Sequence, residues 1–329
     1  MAEIVLGLGS SHSPQLSTPS EMWLAYGEGD RNHVELWAAD GKPYSFDQLM
    51  DTADRSVIEK ELTERKLETR YQACQTGIAT LGETLDKISP DVLILIGDDQ
   101  MEMFSEENMP AVLVYWGQTL KNMPPEIPDS APAHRKANAW GWFAPEEIDY
   151  PIASDLGLHL IEHLMSHQFE VSHSRRMRRG QGMGHAFGYV YQRILQRKPI
   201  PTVPIMVNTY YPPNQVAPER CYQLGREIRA AVESWDEKAR VAVVASGGLS
   251  HFVIDEDLDH QVIKSLENRD TDSLFSIPLD KLNSGNSEIR NWIATAGATE
   301  HLGMELVDYV PCYRSLAGTG CAMGFAQWT

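Results

Sequence analysis

Asp91-Val92-Leu93-Ile94-Leu95-Ile96-Gly97-Asp98-Asp99-Gln100 is the stretch that decides the fold class. An unbroken aliphatic run closed by glycine and acids suits a strand covered on both faces, because a half-exposed strand would alternate apolar and polar side chains. Similar strand signals recur at Ile4 to Leu8, Ala111 to Tyr115, Val203 to Asn208 and Val241 to Ala245. Segments of helical spacing lie between them. Within 54–88, Ala73, Gly77, Ile78, Leu81 and Leu85 recur every three or four residues, and Ile152 to Gln168, 218–236 and Glu288 to Ala298 also read as helices. Another helix opens over Phe187 to Arg197, and 255–284 is polar and helical in part. Strands alternating with helices predict an α/β fold, with a mostly parallel central sheet flanked by helices. No Pro/Gly/Ser linker or change of composition divides the chain, so 1–329 reads as a single domain. Insertion-like stretches lie near 17–50 and 121–150, and Gly318 to Ala326 is a run of small residues.

With 329 residues, 42% hydrophobic and 22% charged, the chain has the composition of a soluble globular protein. A net charge of −18 argues against nucleic acid, whose phosphates need clustered Lys and Arg. The short basic cluster Arg175-Arg176-Met177-Arg178-Arg179 reads as a solvated surface or subunit contact, with an anionic substrate as the alternative. Cys74, Cys221, Cys312 and Cys321 form no CxxC pair and read as reduced thiols. Met1-Ala2-Glu3-Ile4 lacks the basic and apolar regions of a signal peptide, and no run approaches the roughly 18 apolar residues of a membrane span. A cytoplasmic protein is expected.

Four short stretches carry the chemistry: Gly9-Ser10-Ser11-His12-Ser13-Pro14, Gly184-His185-Ala186-Phe187-Gly188, Gly247-Gly248-Leu249-Ser250-His251 and Glu288-Ile289-Arg290-Asn291-Trp292. His12 and His251 lie just past strand-like segments, where open α/β sheets place their ligand crevice. Histidine plus carboxylate is the donor set of a mononuclear non-haem iron site. Each residue also has a plainer reading: a histidine satisfied at a strand end, or a glutamate complementing a helix dipole. No P-loop, Gly-x-Ser-x-Gly elbow or zinc-finger spacing competes.

The ordered set resembles the class III (LigB-type) extradiol ring-cleaving dioxygenases. The resemblance implies Fe(II), with Mn(II) or another divalent metal as alternatives, and O2-dependent cleavage of a catechol-type aromatic. It implies His12 and Glu288 as metal ligands, and His185 and His251 as the catalytic hydrogen-bonding and acid/base residues. The family's second metal-binding histidine is missing. A gapless match puts Asp99 in its place, with Gln100, or His33 or His134 from the insertions, as alternatives. Gly184 likewise stands where the family has an aspartate before its histidine. Asn208 and Tyr210, in Asn208-Thr209-Tyr210-Tyr211-Pro212-Pro213, resemble a family turn that is structural or lines the substrate pocket. Gly97-Asp98-Asp99-Gln100 is similar to a branch acting on methoxylated catechols, which makes a substituted phenolic acid such as 3-O-methylgallate the expected substrate. Other readings are a non-catalytic binding or scaffold protein of the same fold, and a metal-dependent hydrolase.

Some relatives pair the catalytic chain with a small helical subunit. Here the aromatic-bearing stretches 17–50 and 121–150 are expected to replace it, closing the pocket within the chain or across a two-fold homodimer. Trp23, Trp37, Trp140 and Trp142 are expected to be exposed and suited to that interface.

Overall fold

The computed structural model describes residues 1–178 and 180–329. Arg179, the last residue of the basic cluster, lies outside the described residues. The central sheet has nine strands: β1 Glu3–Ser10, β2 Val92–Gly97, β3 Val112–Tyr115, β4 Ser172–Ser174, β5 Thr202–Val207, β6 Arg240–Ser246, β7 His251–Val253, β8 Met304–Tyr313 and β9 Thr319–Trp328. Their order is β7-β9-β1-β6-β2-β5-β3-β4, with β8 on the other edge of β9. The β1-β6-β2-β5 block is parallel throughout. β9 runs antiparallel to β1, β7 and β8, and β3 runs antiparallel to β5.

Every residue of β2 and β5 is buried, as the continuous apolar runs require. Helices cover both faces: α1 Glu64–Ile88, α2 Ser154–Ser166, α3 Pro218–Ser234, α4 Glu256–Asn268 and α5 Ile289–Ala298. Leu6, Leu8, Leu93 and Leu95 join α1 residues Ile78 and Leu81 in one cluster. Ile94, Ile96, Val241 and Val243 pack in another with residues of α2, α3 and α5. The alternation of side chains along each strand thus feeds two cores, one per face.

The 17–50 stretch forms short helical turns and a small two-stranded sheet, Leu36–Trp37 with Pro43–Tyr44. It is fastened to the turn after β8 by a buried ion pair, in which the Arg314 guanidinium donates to both Asp30 oxygens at 2.8 and 2.9 Å. Breaking such a pair costs about 3–5 kcal/mol, since the remaining charge stays buried and uncompensated. The exposed-tryptophan expectation is corrected here. Trp23 is wholly buried, its indole N–H donating to the Thr18 carbonyl, and Trp37 and Trp142 are only partly exposed. Trp140 alone of the four is largely open to solvent. An indole buries its ring readily once its one donor has a partner.

The four cysteines are buried free thiols. No helix among the described residues is long and apolar enough to cross a membrane.

Candidate metal centre and active site

The carboxyl ends of β1, β6 and β2 are neighbours in the sheet, and the chemistry-bearing residues leave the sheet there. β1 ends at Ser10 and delivers His12. β6 ends at Ser246 and turns through Gly247 and Gly248 toward His251. Both glycines have positive φ, +116° and +72°. A Cβ on Gly247 would sit 2.5 Å from the Glu288 carboxylate, so only glycine lets the backbone approach that closely.

Glu288 ends the 3-10 turn Ser284–Glu288 and leads into α5, whose residues are all buried. Positions 288, 291 and 292 share one helix face, and all three address the end of β6. Glu288 Oε2 accepts from the Gly248 N–H at 2.8 Å, the Asn291 amide donates to Ser246 O at 2.9 Å, and the Trp292 indole donates to Gly247 O at 2.7 Å. The carboxylate is therefore held rigidly, at zero exposure.

Around it the histidines converge. His12 Nε2 lies 3.4 Å from Glu288 Oε2, and His251 Nε2 lies 3.1 Å from Oε1. Hydrogen bonding fixes their tautomers. Ser246 Oγ donates to Ala186 O at 2.6 Å, so it must accept from His12 Nδ1–H at 3.1 Å, which leaves His12 Nε2 with a lone pair. His251 Nδ1–H donates to the Leu249 carbonyl at 2.9 Å. Burial alone would raise the Glu288 pKa, but the neighbouring His251 imidazole holds it well below the usual carboxylate range. The His12 pKa is lowered, chiefly by burial. For His251, burial is outweighed by the Glu288 charge, and its pKa is raised.

The turn after β2 departs from expectation. Asp99 does not reach the cluster: its Oδ1 accepts from the N–H groups of Glu102 and Met103 at 3.1 and 3.0 Å, and Oδ2 accepts from Phe104 N–H at 2.9 Å. Its carboxylate caps the turn. Asp98 faces the site instead, with one donor atom each from His12, Asp98 and His185 lying within 4.8 Å of one another. Asp98 Oδ2 is buried with no hydrogen-bond partner among the described residues. Burial, reinforced by the Glu288 charge, pushes the Asp98 carboxyl well above its usual range. The Gln100 amide reaches Glu288 Oε1 at 3.4 Å. Neither insertion histidine joins the cluster: the His33 ring packs on Phe252 and the His134 ring stacks on Tyr26.

The same turn supplies Glu102, which sequence reasoning missed. Glu102 Oε2 accepts from His185 Nδ1–H at 2.7 Å and from the His185 backbone N–H at 2.8 Å. A Cβ on Gly184 would lie 2.7 Å from that oxygen, so the glycine leaves room for a carboxylate arriving from another segment. Burial disfavours the His185 cation, but Glu102 outweighs it and the pKa is pushed up to about 10. A cationic His185 donates from Nε2 to the His12 Nε2 lone pair 3.0 Å away. The sequence offered only two separate hints, a carboxylate three residues beyond Asp99 and, 83 residues on, a histidine segment lacking its own acid, and nothing local joins them.

Tyr210 is brought in, its hydroxyl 3.1 Å from Glu288 Oε1 and 3.3 Å from His251 Nε2. Burial, then Glu288, raises its pKa well above normal, so the phenol stays a donor. Asn208 is not: its amide is used within its own turn, by Tyr211 N–H and O and by Asn214. A cavity of about 710 Å³ opens over the cluster. The 121–150 stretch contributes Arg135, Trp142 and Phe143 to its wall, and 17–50 contributes Tyr26 and His33.

The donors fit a divalent cation: the His12 Nε2 lone pair, which a cation would take over from the His185 N–H, an ionised buried Glu288 and an unpartnered buried oxygen on Asp98. Comparison with known proteins agrees with this chemistry. Residues 62–323 match the family described as the catalytic LigB subunit of aromatic ring-opening dioxygenase, a span that includes Asp98, His185, His251 and Glu288 and begins after His12. The chain is 24% identical over 179 residues to a 2,3-dihydroxyphenylpropionate/2,3-dihydroxicinnamic acid 1,2-dioxygenase of Comamonas testosteroni, covering 54% of this chain and 49% of that protein. It is 35% identical over 101 residues to a gallate dioxygenase of Pseudomonas putida, covering 30% of this chain and 28% of that protein. The matches thus span half or less of these relatives, while the family match takes in most of the chain, from α1 into β9, and on it the protein belongs to the LigB family of aromatic ring-opening dioxygenase catalytic subunits.

Proposed function

We propose that this protein cleaves the ring of a catechol-type aromatic acid with O2, next to the paired hydroxyls, using Fe(II) held by His12, Asp98 and Glu288. One observation carries the reading most: His12, Asp98 and His185 each place a donor atom within 4.8 Å of the other two, Glu288 lies 3.4 Å from His12 and 3.1 Å from His251, and His12, His185, His251 and Glu288 line a cavity large enough for a substituted ring. A bound Fe(II) would supply the passage of electrons from an electron-rich catechol to O2. The raised pKa of His251 rests on the Glu288 charge, which a bound cation would take up; His251 would then be neutral and placed to take a catechol proton and return it later, with Tyr210 donating beside it. His185, held by Glu102, keeps a fixed N–H donor aimed into the cluster, where negative charge develops on oxygen. Trp142 and Phe143 give the ring an apolar wall.

Among the described cavity residues, Arg314 is committed to Asp30, whereas Arg135 has no acidic partner. A free guanidinium at the wall favours a carboxylated substrate. This supports a phenolic acid and, within that class, the 3-O-methylgallate-like branch suggested by Gly97-Asp98-Asp99-Gln100.

The test is anaerobic loading with Fe(II), followed by oxygen uptake over 3-O-methylgallate, gallate, 2,3-dihydroxyphenylpropionate and unsubstituted catechol. One O2 consumed per ring lost, with a carboxylated catechol preferred, is the expected result. Equal turnover of unsubstituted catechol would remove the role of Arg135. Hydrolysis of an ester or lactone without O2 uptake would replace the dioxygenase reading with metal-dependent hydrolysis.

A further inference from the structure

A second group of metal-binding side chains lies outside the cavity and takes no part in the site described above. His163 in α2, His167 at the carboxyl end of that helix and Glu227 in α3 each place one donor atom within 4.8 Å of the other two. We propose that His163, His167 and Glu227 bind a divalent transition metal of the Zn2+ class, which staples α2 to α3.

The local sequence explains the placement. Leu156, Leu160 and Leu164 repeat every four residues and bury one face of α2. His159, His163 and His167 repeat at the same interval, one position displaced, so they line the boundary where α2 meets α3. The three histidines are not equivalent. His159 Nε2 donates to the Ala231 carbonyl at 2.9 Å and lies 3.0 Å from Ser234 Oγ, so its ring clamps the two helices together and is not one of the converging group. His163 Nε2 lies 3.0 Å from Glu227 Oε2 across the helix pair. The His167 ring stacks on His163 with centroids 4.0 Å apart, and its Nδ1–H donates to the His163 carbonyl at 2.8 Å. A ring nitrogen facing a carbonyl must carry the proton, which leaves the Nε2 lone pair of His167 for a ligand.

Two imidazoles and one carboxylate form a borderline donor set that suits Zn2+, and they would leave a coordination position for water. Such a set discriminates against Mg2+ and Ca2+, which take all-oxygen shells. Both helices are part of the packed fold, so the donors need no ordering of a loop.

Zn2+ alone is the probe, counted by native mass spectrometry and equilibrium dialysis on the whole chain. His167→Ala is the first variant because that side chain is exposed and its loss leaves the helix pair intact. Glu227→Gln is the second, since it keeps a hydrogen-bonding partner for His163 while removing the charge. Wild type is expected to bind one Zn2+ more than either variant. Added Zn2+ is also expected to raise the thermal midpoint of wild type above that of His167→Ala, while the two coincide in chelator. Equal Zn2+ counts in wild type and both variants would overturn the proposal. The outcome is independent of ring cleavage, because these residues do not touch the cavity and the difference in metal count is read without substrate.

Discussion

Two sides of one site are built in different ways. On the side of β1, β6 and α5, each functional residue is fastened to backbone that cannot move: Glu288 by Gly248 N–H, His251 by the Leu249 carbonyl, and His12 by Ser246, itself tied to Ala186. On the side of the turn after β2, a relay of side chains performs the same task. Asp99 caps the turn that carries Glu102, Glu102 orients His185, and Asp98 is left facing His12 and His185. The first side places its groups through rigid elements and glycine clearance. The second uses three acids within five residues, each with a separate duty, so residue type says little there about role.

The comparison can be broken most sharply from its rigid side. Glu288→Ala removes the ionised carboxylate that His12, His251, Tyr210 and Gly248 all address. Outer-shell losses alone cost about 10–100-fold in metal affinity, and this loss should exceed that range, taking ring cleavage with it. Metal analysis after desalting checks it. Retained iron with retained turnover would mean that the buried carboxylate is structural.

His251→Ala should keep the metal and lose turnover by roughly 10²-fold or more, the scale of general acid/base catalysis. Steady-state oxygen uptake on iron-matched protein is the measurement, and unchanged turnover would take His251 out of the mechanism. On the relay side, Glu102→Ala should lower turnover by about 10–100-fold, as expected when a carboxylate that orients a histidine is lost. The pH profile should change along with kcat, because the charge that holds His185 cationic is gone. Loss of stability with an unaltered profile would make Glu102 a packing residue.

The smallest effect concerns Asp259, which accepts from Ser250 N–H and Oγ and so holds the residue before His251. Burial pushes its carboxyl from 3.8 up to about 7. A carboxyl with a raised folded pKa binds its proton more tightly in the native state. Its stabilising contribution is therefore full below about pH 4, falls between about pH 4 and 7 and stays constant above. Asp259→Asn lacks that dependence, so the stability advantage of wild type over the variant should shrink across this window in urea titrations. A constant difference would mean that Asp259 is ionised throughout.

The same contrast explains what the sequence made legible. His12, His251 and Glu288 stood out because glycine and small residues flanked the strand exits, and those glycines are where the backbone must approach Glu288. The buried parallel strands were equally plain from their unbroken apolar runs. The antiparallel pair β8 and β9 was not. β8 carries Glu305, Asp308 and Pro311 along a partly exposed strand, and β9 read only as a run of small residues. Asp98 and Asp99 were inseparable for a geometric reason: adjacent residues leaving a strand point to opposite sides, and spacing alone cannot say which faces the ligand. Asn208 drew attention through its neighbours yet serves its turn, and Trp23 proved to be core. Glu102 needed tertiary information, since its partner lies 83 residues away.

The most direct test of this account is the iron content of Asp98→Ala and Asp99→Ala, measured side by side after anaerobic loading with Fe(II) and desalting. Asp98→Ala should emerge without iron while remaining folded. Asp99→Ala should keep its iron and instead lose about 1–3 kcal/mol of stability, the cost of leaving turn N–H groups without an acceptor. Iron retained by Asp98→Ala and lost by a folded Asp99→Ala would contradict the site as built here.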